Sequence, residues 1–197
     1  MGKKLEDMTR RELWQIFPIQ LTEHRDCWAQ WYQEEAQRLG ALLSGQPVRE
    51  IHHIGSTAVE GIWAKPIVDI LVELEPDGDM EAAAQAALDG GYRIMSREPG
   101  RISLNLGYTE QGFAERVFHL HLRFAGDCDE VSFRNLLQRA PELAQEYEEL
   151  KLSLWKQYEH DRDAYTEGKT AFVTRFTQLA KLGREATQSG AHVGQVQ

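Results

Sequence analysis

Hydrophobic and polar positions repeat with two different periods along this chain, and the changes of period divide it. Thr9 and Glu12 form the capping-box pair that opens a helix, which Pro18 stops. Asp26 is expected to cap the next helix, where Trp28, Trp31, Tyr32, Leu39 and Leu42 recur on one face and Gly45 and Pro47 punctuate the end. The period then shortens. Val48–Ile54 reads as a strand broken at Gly55-Ser56, and residues 66–74 read as a second strand. Its near-continuous run of Ile67, Val68, Ile70, Leu71 and Val72 predicts burial on both faces, with Asp69 as the one charge inside the run. Residues 79–88 form an alanine-rich helix that Gly90-Gly91 closes.

Three further strands are expected at 92–96, 101–108 and 116–124, with a Pro99-Gly100 turn and a second turn at 110–112. Consecutive strands with short links imply an antiparallel meander. From Asp129 the pattern is helical again. Pro141 suits a first helical turn, with Leu143, Tyr147, Leu150 and Leu154 on one face, and a last helix is expected over 166–182. The expected fold class is α/β (α+β), a mixed sheet with helices packed on it. The pattern predicts one domain over 1–182: a helical part at 8–45, a sheet core at 46–125 and C-terminal helices at 128–182. The Gly-, Gln-, Ser- and Ala-rich residues 183–197 are expected to be a disordered tail.

Composition narrows the function classes. A net charge of -9 disfavours broad nucleic-acid binding but leaves room for a small anion in a locally basic pocket. Two cysteines, Cys27 and Cys128, are too few for a disulfide scaffold and lack paired ligand spacing. The first residues lack a signal peptide's apolar stretch, and no apolar run approaches the roughly 20 residues of a membrane span. The expectation is a cytoplasmic protein with reduced thiols and no membrane partner.

Candidate chemistry gathers in IHHIGSTAVEGIWAKPIVDILVEL. Gly55 lets the chain turn sharply off a strand, and Ser56 and Thr57 then open a short helix whose free N–H groups and dipole suit phosphate. Lys65 adds a point charge just before the second strand. A carboxylate at Asp69 is costly in an apolar strand unless it is paired with an arginine of a neighbouring strand or bound to a metal. Strand alternation lets at most one of His52 and His53 face a pocket, and packing is the expected role of both. His119, His121 and Arg123 share one strand face, opposite Phe118, Leu120, Leu122 and Phe124, and Arg123 is expected to contact the ligand from it. Two imidazoles about 6.6 Å apart along a strand can converge on one ion or one phosphate.

Gly55-Ser56, a spacer and Asp69 in an apolar strand together resemble the nucleotidyltransferase signature. The wider segment, with FHLHL at residues 118–122 and DRDAYTEGKTAFV at 161–173, resembles the GrpB family over nearly the whole chain. Glu60 departs from that family's usual proline, a change confined to a turn. The resemblance implies a small mixed sheet with helices on one side and a helical C-terminal part. It also implies phosphate binding at Gly55, Ser56 and Thr57, and divalent metal (manganese, zinc or magnesium) at Asp69, the expected catalytic carboxylate.

Active nucleotidyltransferases carry a second carboxylate two residues on, where this chain has Leu71. Glu73 shares the face of Asp69 but lies roughly 13 Å away, too far to share an ion. An isolated His-x-His is usually a solvated strand face, but the resemblance places this strand where the superfamily carries its third carboxylate, so His119 and His121 are expected to complete the metal site; imidazole suits zinc, manganese, iron or nickel better than magnesium. Lys169 and Tyr165, in the YTEGKTAF stretch, are expected near the triphosphate, or else Lys169 is simply an exposed helical lysine. Asp161 and Arg162 read as a loop ion pair or a helix cap. The leading expectation is a metal-dependent nucleotidyltransferase-like protein that takes a nucleotide or another phosphate-bearing small molecule. The alternative is an inactive binder of the same fold.

Overall fold

A computed structural model describes residues 3–191, with side chains to residue 183. Thr9 caps α1 (Arg10–Ile16) in a full capping box with Glu12, as the spacing predicts. α2 spans Cys27–Leu42. Asp26 does not cap it: its backbone is already helical (φ -58°, ψ -29°), so its carboxylate cannot reach back to the first free N–H groups. β1 (Val48–Ile54) and β2 (Val68–Leu74) follow, then α3 (Met80–Asp89), which Asp79 caps through the N–H groups of Glu81 and Ala82. The meander is β3 (Arg93–Glu98), β4 (Arg101–Thr109) and β5 (Gly112–Phe124), and α4 (Asp129–Arg139), α5 (Pro141–Tyr158) and α6 (Arg162–Ala191) complete the chain.

The last helix begins four residues before its expected start, because the Asp161 carboxylate accepts the Ala164 N–H and caps it. It also continues through Ala191, past Gly183 where disorder is expected. Residues 192–197 of that expected tail lie outside the described residues. No helix among the described residues is long and apolar enough to cross a membrane.

The five strands form one mixed sheet in the order β1-β2-β5-β4-β3. β2 and β5 run parallel, with Asp69 opposite His119 and Leu71 opposite His121, and the other pairs are antiparallel. One sheet face carries Val68, Ile70, Val72, Ile102, Leu104, Leu120 and Leu122, all fully buried or nearly so under Trp28 and Leu39 of α2 and Ala83, Ala84 and Ala87 of α3. Burying one such aliphatic side chain contributes about 1.5–3 kcal/mol. Exposed pairs such as Lys3–Glu12 or Arg10–Asp163 contribute about 0–1 kcal/mol each, so this core dominates the fold's stability. Across the other face, α4 covers Leu71 and Ile54 with Val131, while α5 and α6 stand off and leave a cleft.

One irregularity positions the site. The β4–β5 register shifts between Leu106 and Tyr108, at Gly107 (φ 94°). Simple alternation would put Tyr108 with Ile102, Leu104 and Leu106 on the core face. The shift turns it instead toward His119, as bulges do. A Cβ at residue 107 would collide with the Arg116 carbonyl. Gly107→Ala is therefore expected to cost about 1–3 kcal/mol. Urea denaturation would measure this, and a change under about 0.5 kcal/mol, the usual range for surface sites, would contradict it.

Candidate active site

The parallel β2–β5 pair carries the centre of the site. His119 Nδ1 lies 3.0 Å from Asp69 Oδ1, and His121 Nε2 lies 3.7 Å from the same oxygen. One donor atom from each of the three residues falls within 4.8 Å of the others, so this set could hold a metal ion. The far nitrogen of each ring is held by a hydroxyl: Tyr108 Oη is 2.9 Å from His119 Nε2, and Ser103 Oγ is 3.1 Å from His121 Nδ1. A hydroxyl can donate or accept. The same contacts therefore serve a ring that gives its N–H to Asp69 and a ring that offers its near nitrogen to a cation. Arg162 Nη2 donates to Tyr108 Oη at 3.1 Å and extends this outer support.

Burial by itself would raise the Asp69 carboxyl, but hydrogen bonds and charge from His119 and His121 outweigh it and hold it well below the usual carboxylate range. Burial also lowers His119, with partial compensation from Asp69. Among the described residues the partners of Asp69 are the two histidines, not the anticipated arginine of a neighbouring strand. Gly55 explains how so tight a group is closed. It has φ 71°, and a Cβ there would collide with Asp69 Oδ2.

Ser56–Ala58 makes only a single 3₁₀ turn, not a helix long enough to have a macrodipole. The expected dipole contribution is therefore corrected. The N–H groups of Ser56 and Thr57, ahead of the first turn bond, have no acceptor among the described residues. Thr57 is buried, and its hydroxyl lies 3.0 Å from His53 Nε2, so its side chain is engaged in the fold.

A cleft of 1090 Å³ opens from this centre. Lys65, Arg101, Arg134, Lys151, Arg162, Lys169 and Lys181 line it against four acidic residues, Asp69, Asp129, Glu130 and Asp163. In a chain with 22 basic and 31 acidic residues, this is a local reversal of charge. Tyr165 is buried, and its ring lies 5.1 Å from Lys65 Nζ and 4.6 Å from Lys169 Nζ. Lys169 is thus a half-buried side chain braced on Tyr165, not a freely exposed one. Burial is the main cause that pulls Lys169 down to about 8, offset in part by Asp69 and deepened by Arg162.

The structure brings together Gly55, Ser56, Thr57, Lys65, Asp69, His119, His121, Tyr165 and Lys169. Arg123 is the exception. It is buried outside the cleft lining, donating to the Leu122 carbonyl at 2.9 Å and to Glu130 at 3.3 Å, so its expected role as a ligand group is corrected. His52 lies 2.7 Å from Glu73, and His53 stacks on Tyr32, so neither faces the cleft. Sequence reasoning missed Lys151, Tyr147, Ser103 and Tyr108, and it read Arg162 as part of a loop pair or cap. Lys151 and Tyr147 lie in a leucine-patterned helix that reads as packing surface, and only the α5–α6 fold-back reveals their place.

A family profile described as GrpB protein matches residues 18–179. The chain belongs to the GrpB family. The Glutamate-rich protein GrpB of Alkalihalophilus pseudofirmus is 34% identical over 158 residues, covering 78% of this chain and 90% of that protein. A UPF0157 protein of Pseudomonas aeruginosa is 36% identical over 170 residues, covering 83% and 69%. The crystal structure of GrpB from Enterococcus faecalis superposes with a TM-score of 0.69 at 29% identity, covering 82% of this chain and 96% of that one. The mixed sheet with packed helices is thus the GrpB fold, and Glu60 lies in an exposed turn.

Leu71 gives this GrpB-family site its asymmetry. It is fully buried against Ile54 and Val131, so the position where a second carboxylate would sit is part of a small apolar core. Leu71→Asp is expected to lower stability by about 3 kcal/mol or more, because the new charge is buried without a partner. Chemical denaturation tests this, and a neutral outcome would mean that α4 does not seal the position.

Proposed function

We propose that this GrpB-family chain is a metal-dependent nucleotidyltransferase-like protein that binds a nucleoside triphosphate or a related polyphosphate. The observation that supports this reading most strongly is the pairing, across one cleft, of the Asp69–His119–His121 donor set with a wall of lysines and arginines. Asp69, His119 and His121 would hold one divalent ion, which would neutralise phosphate charge. Ser56 and the neighbouring backbone N–H groups would hold phosphate oxygens, and Lys65 and Lys169 would steady the polyphosphate chain. Positioning and charge neutralisation supply most of the rate in phosphoryl transfer.

A second reading, an inactive binder of nucleotides or phosphorylated metabolites, is favoured by the apolar seal over Leu71. Turnover of labelled nucleotide separates the two, because only the first reading releases pyrophosphate.

Ligand binding is tested by thermal and chemical denaturation against a panel of nucleotides, with and without manganese. A ligand at 100-fold its Kd should stabilise the wild type by about 2.7 kcal/mol. Gly55→Val should abolish the effect, since the added side chain meets Asp69, and Lys169→Ala should weaken it. No stabilisation by any phosphate ligand would overturn the proposal, and an unchanged Gly55→Val response would move the site elsewhere.

Metal binding is tested separately by calorimetry with manganese or zinc. Tyr108→Phe, which removes the hydroxyl that orients His119, should weaken affinity by about 10–100-fold. The imidazoles coordinate only when neutral. Affinity should therefore hold above the ordinary histidine value of about 6.5 and fall as pH drops below about 6. Burial, which lowers His119, shifts that loss toward the acid side. Equal affinity at high and low pH would remove both histidines from the coordination sphere.

A further inference from the structure

The Gly55-Ser56 turn meets α5 in an arrangement that phosphate binding does not require. Lys151 Nζ lies 3.1 Å from Ser56 Oγ and also donates to the Trp63 carbonyl. Lys151 is 2% exposed, whereas Ser56 lines the open cleft. The buried Tyr147 ring lies 5.0 Å from Lys151 Nζ. A serine facing open space, backed by a buried amine with one further fixed acceptor, is the geometry of an activated nucleophile.

We propose that Ser56 is a nucleophile toward phosphorus electrophiles and that Lys151 is its general base. A neutral amine has one lone pair and two N–H bonds. Donation to the Trp63 carbonyl uses one N–H and leaves the lone pair for the Ser56 hydroxyl proton. The groups facing Lys151 favour that neutral state. Burial is the main cause, Lys169 across α6 adds to it, and Glu148 on α5 opposes it, which leaves the amine at about 7. Lys65, ahead of β2, faces the same space, and burial first, then Lys169, Arg162 and Lys151, pulls its own amine well below the usual lysine range.

The cleft's cations select an anionic electrophile. On the polyphosphate reading above, on which this choice of natural substrate class rests, that electrophile is a phosphoanhydride. Ser56 Oγ attacks the α-phosphorus and an Oγ–P bond forms. The P–O bond to pyrophosphate breaks, pyrophosphate leaves with the electron pair, and the serine proton passes to Lys151 Nζ.

The nucleophile is tested without any nucleotide by treating the full chain with a fluorophosphonate. Attack forms the Oγ–P bond, breaks P–F and releases fluoride. Intact mass and peptide mapping should show one adduct, on Ser56, and Ser56→Ala should lose it. The wild-type labelling rate should rise with pH and level off through an inflection near 7, the value at which Lys151 gives up its proton. Lys151→Met, close in size and lacking the base, should slow labelling at least tenfold at pH 8, with circular dichroism confirming the fold. If that variant does not fold, the wild-type inflection decides the matter alone. Absence of a Ser56 adduct, a rate without that inflection, or unchanged labelling in a folded Lys151→Met would overturn the proposal. Labelling retained in a protein that binds no polyphosphate would overturn the cleft reading and leave the nucleophile standing.

Discussion

A half-buried carboxylate inside an otherwise apolar strand is the constraint from which the rest of this site follows. An isolated carboxylate there would neutralise itself or destabilise the fold by several kcal/mol. Asp69 instead keeps its charge because the parallel β2–β5 register sets His119 directly beside it, with His121 one pleat further on. Gly55 makes room for its second oxygen by having no side chain. Tyr108 and Ser103 then fix the outer nitrogens of both rings, and Arg162 fixes Tyr108. Each element is explained by the one before it, and the chain of contacts ends at the cleft wall.

That wall is basic for reasons of packing. Gly168 lets α6 approach Leu154 of α5 closely, and this brings Lys169, Tyr165 and Lys151 to the Gly55-Ser56 turn. The two tyrosines pack over the lysines, and the burial that results costs the amines solvation and lowers their proton affinity, while the ring–cation contacts oppose that loss. A protein with a net charge of -9 thus gathers basic side chains in one concave place.

Leu71 limits what such a centre can do. The side of the site that could carry a second carboxylate is closed by Ile54 and Val131. One face of β2 therefore alternates between a charged residue and an apolar one, and beyond Leu71 the pairing of Glu73 with His52 forms a separate polar group outside the cleft. One Asp–His–His donor set and a cationic wall are the resources available on this face.

Much of this was legible in the residues themselves. The capping box at Thr9, β1 at Val48–Ile54, the apolar run of β2 and the meander follow from side-chain periodicity and turn chemistry, which are local properties. The isolation of Asp69 among apolar neighbours and the alternation of His119 with His121 were equally visible, because a strand's two faces are set by its period of two. What only the tertiary structure decided is where those faces meet. Arg123 shares the histidines' face yet is drawn away to Glu130, Tyr108 reaches His119 only because the register slips at Gly107, and Lys151 reaches Ser56 across 95 positions of sequence. Periodicity specifies which side of an element a residue occupies. It carries no information about which distant element will cover that side, since that depends on how helices and strands pack once the whole core has closed.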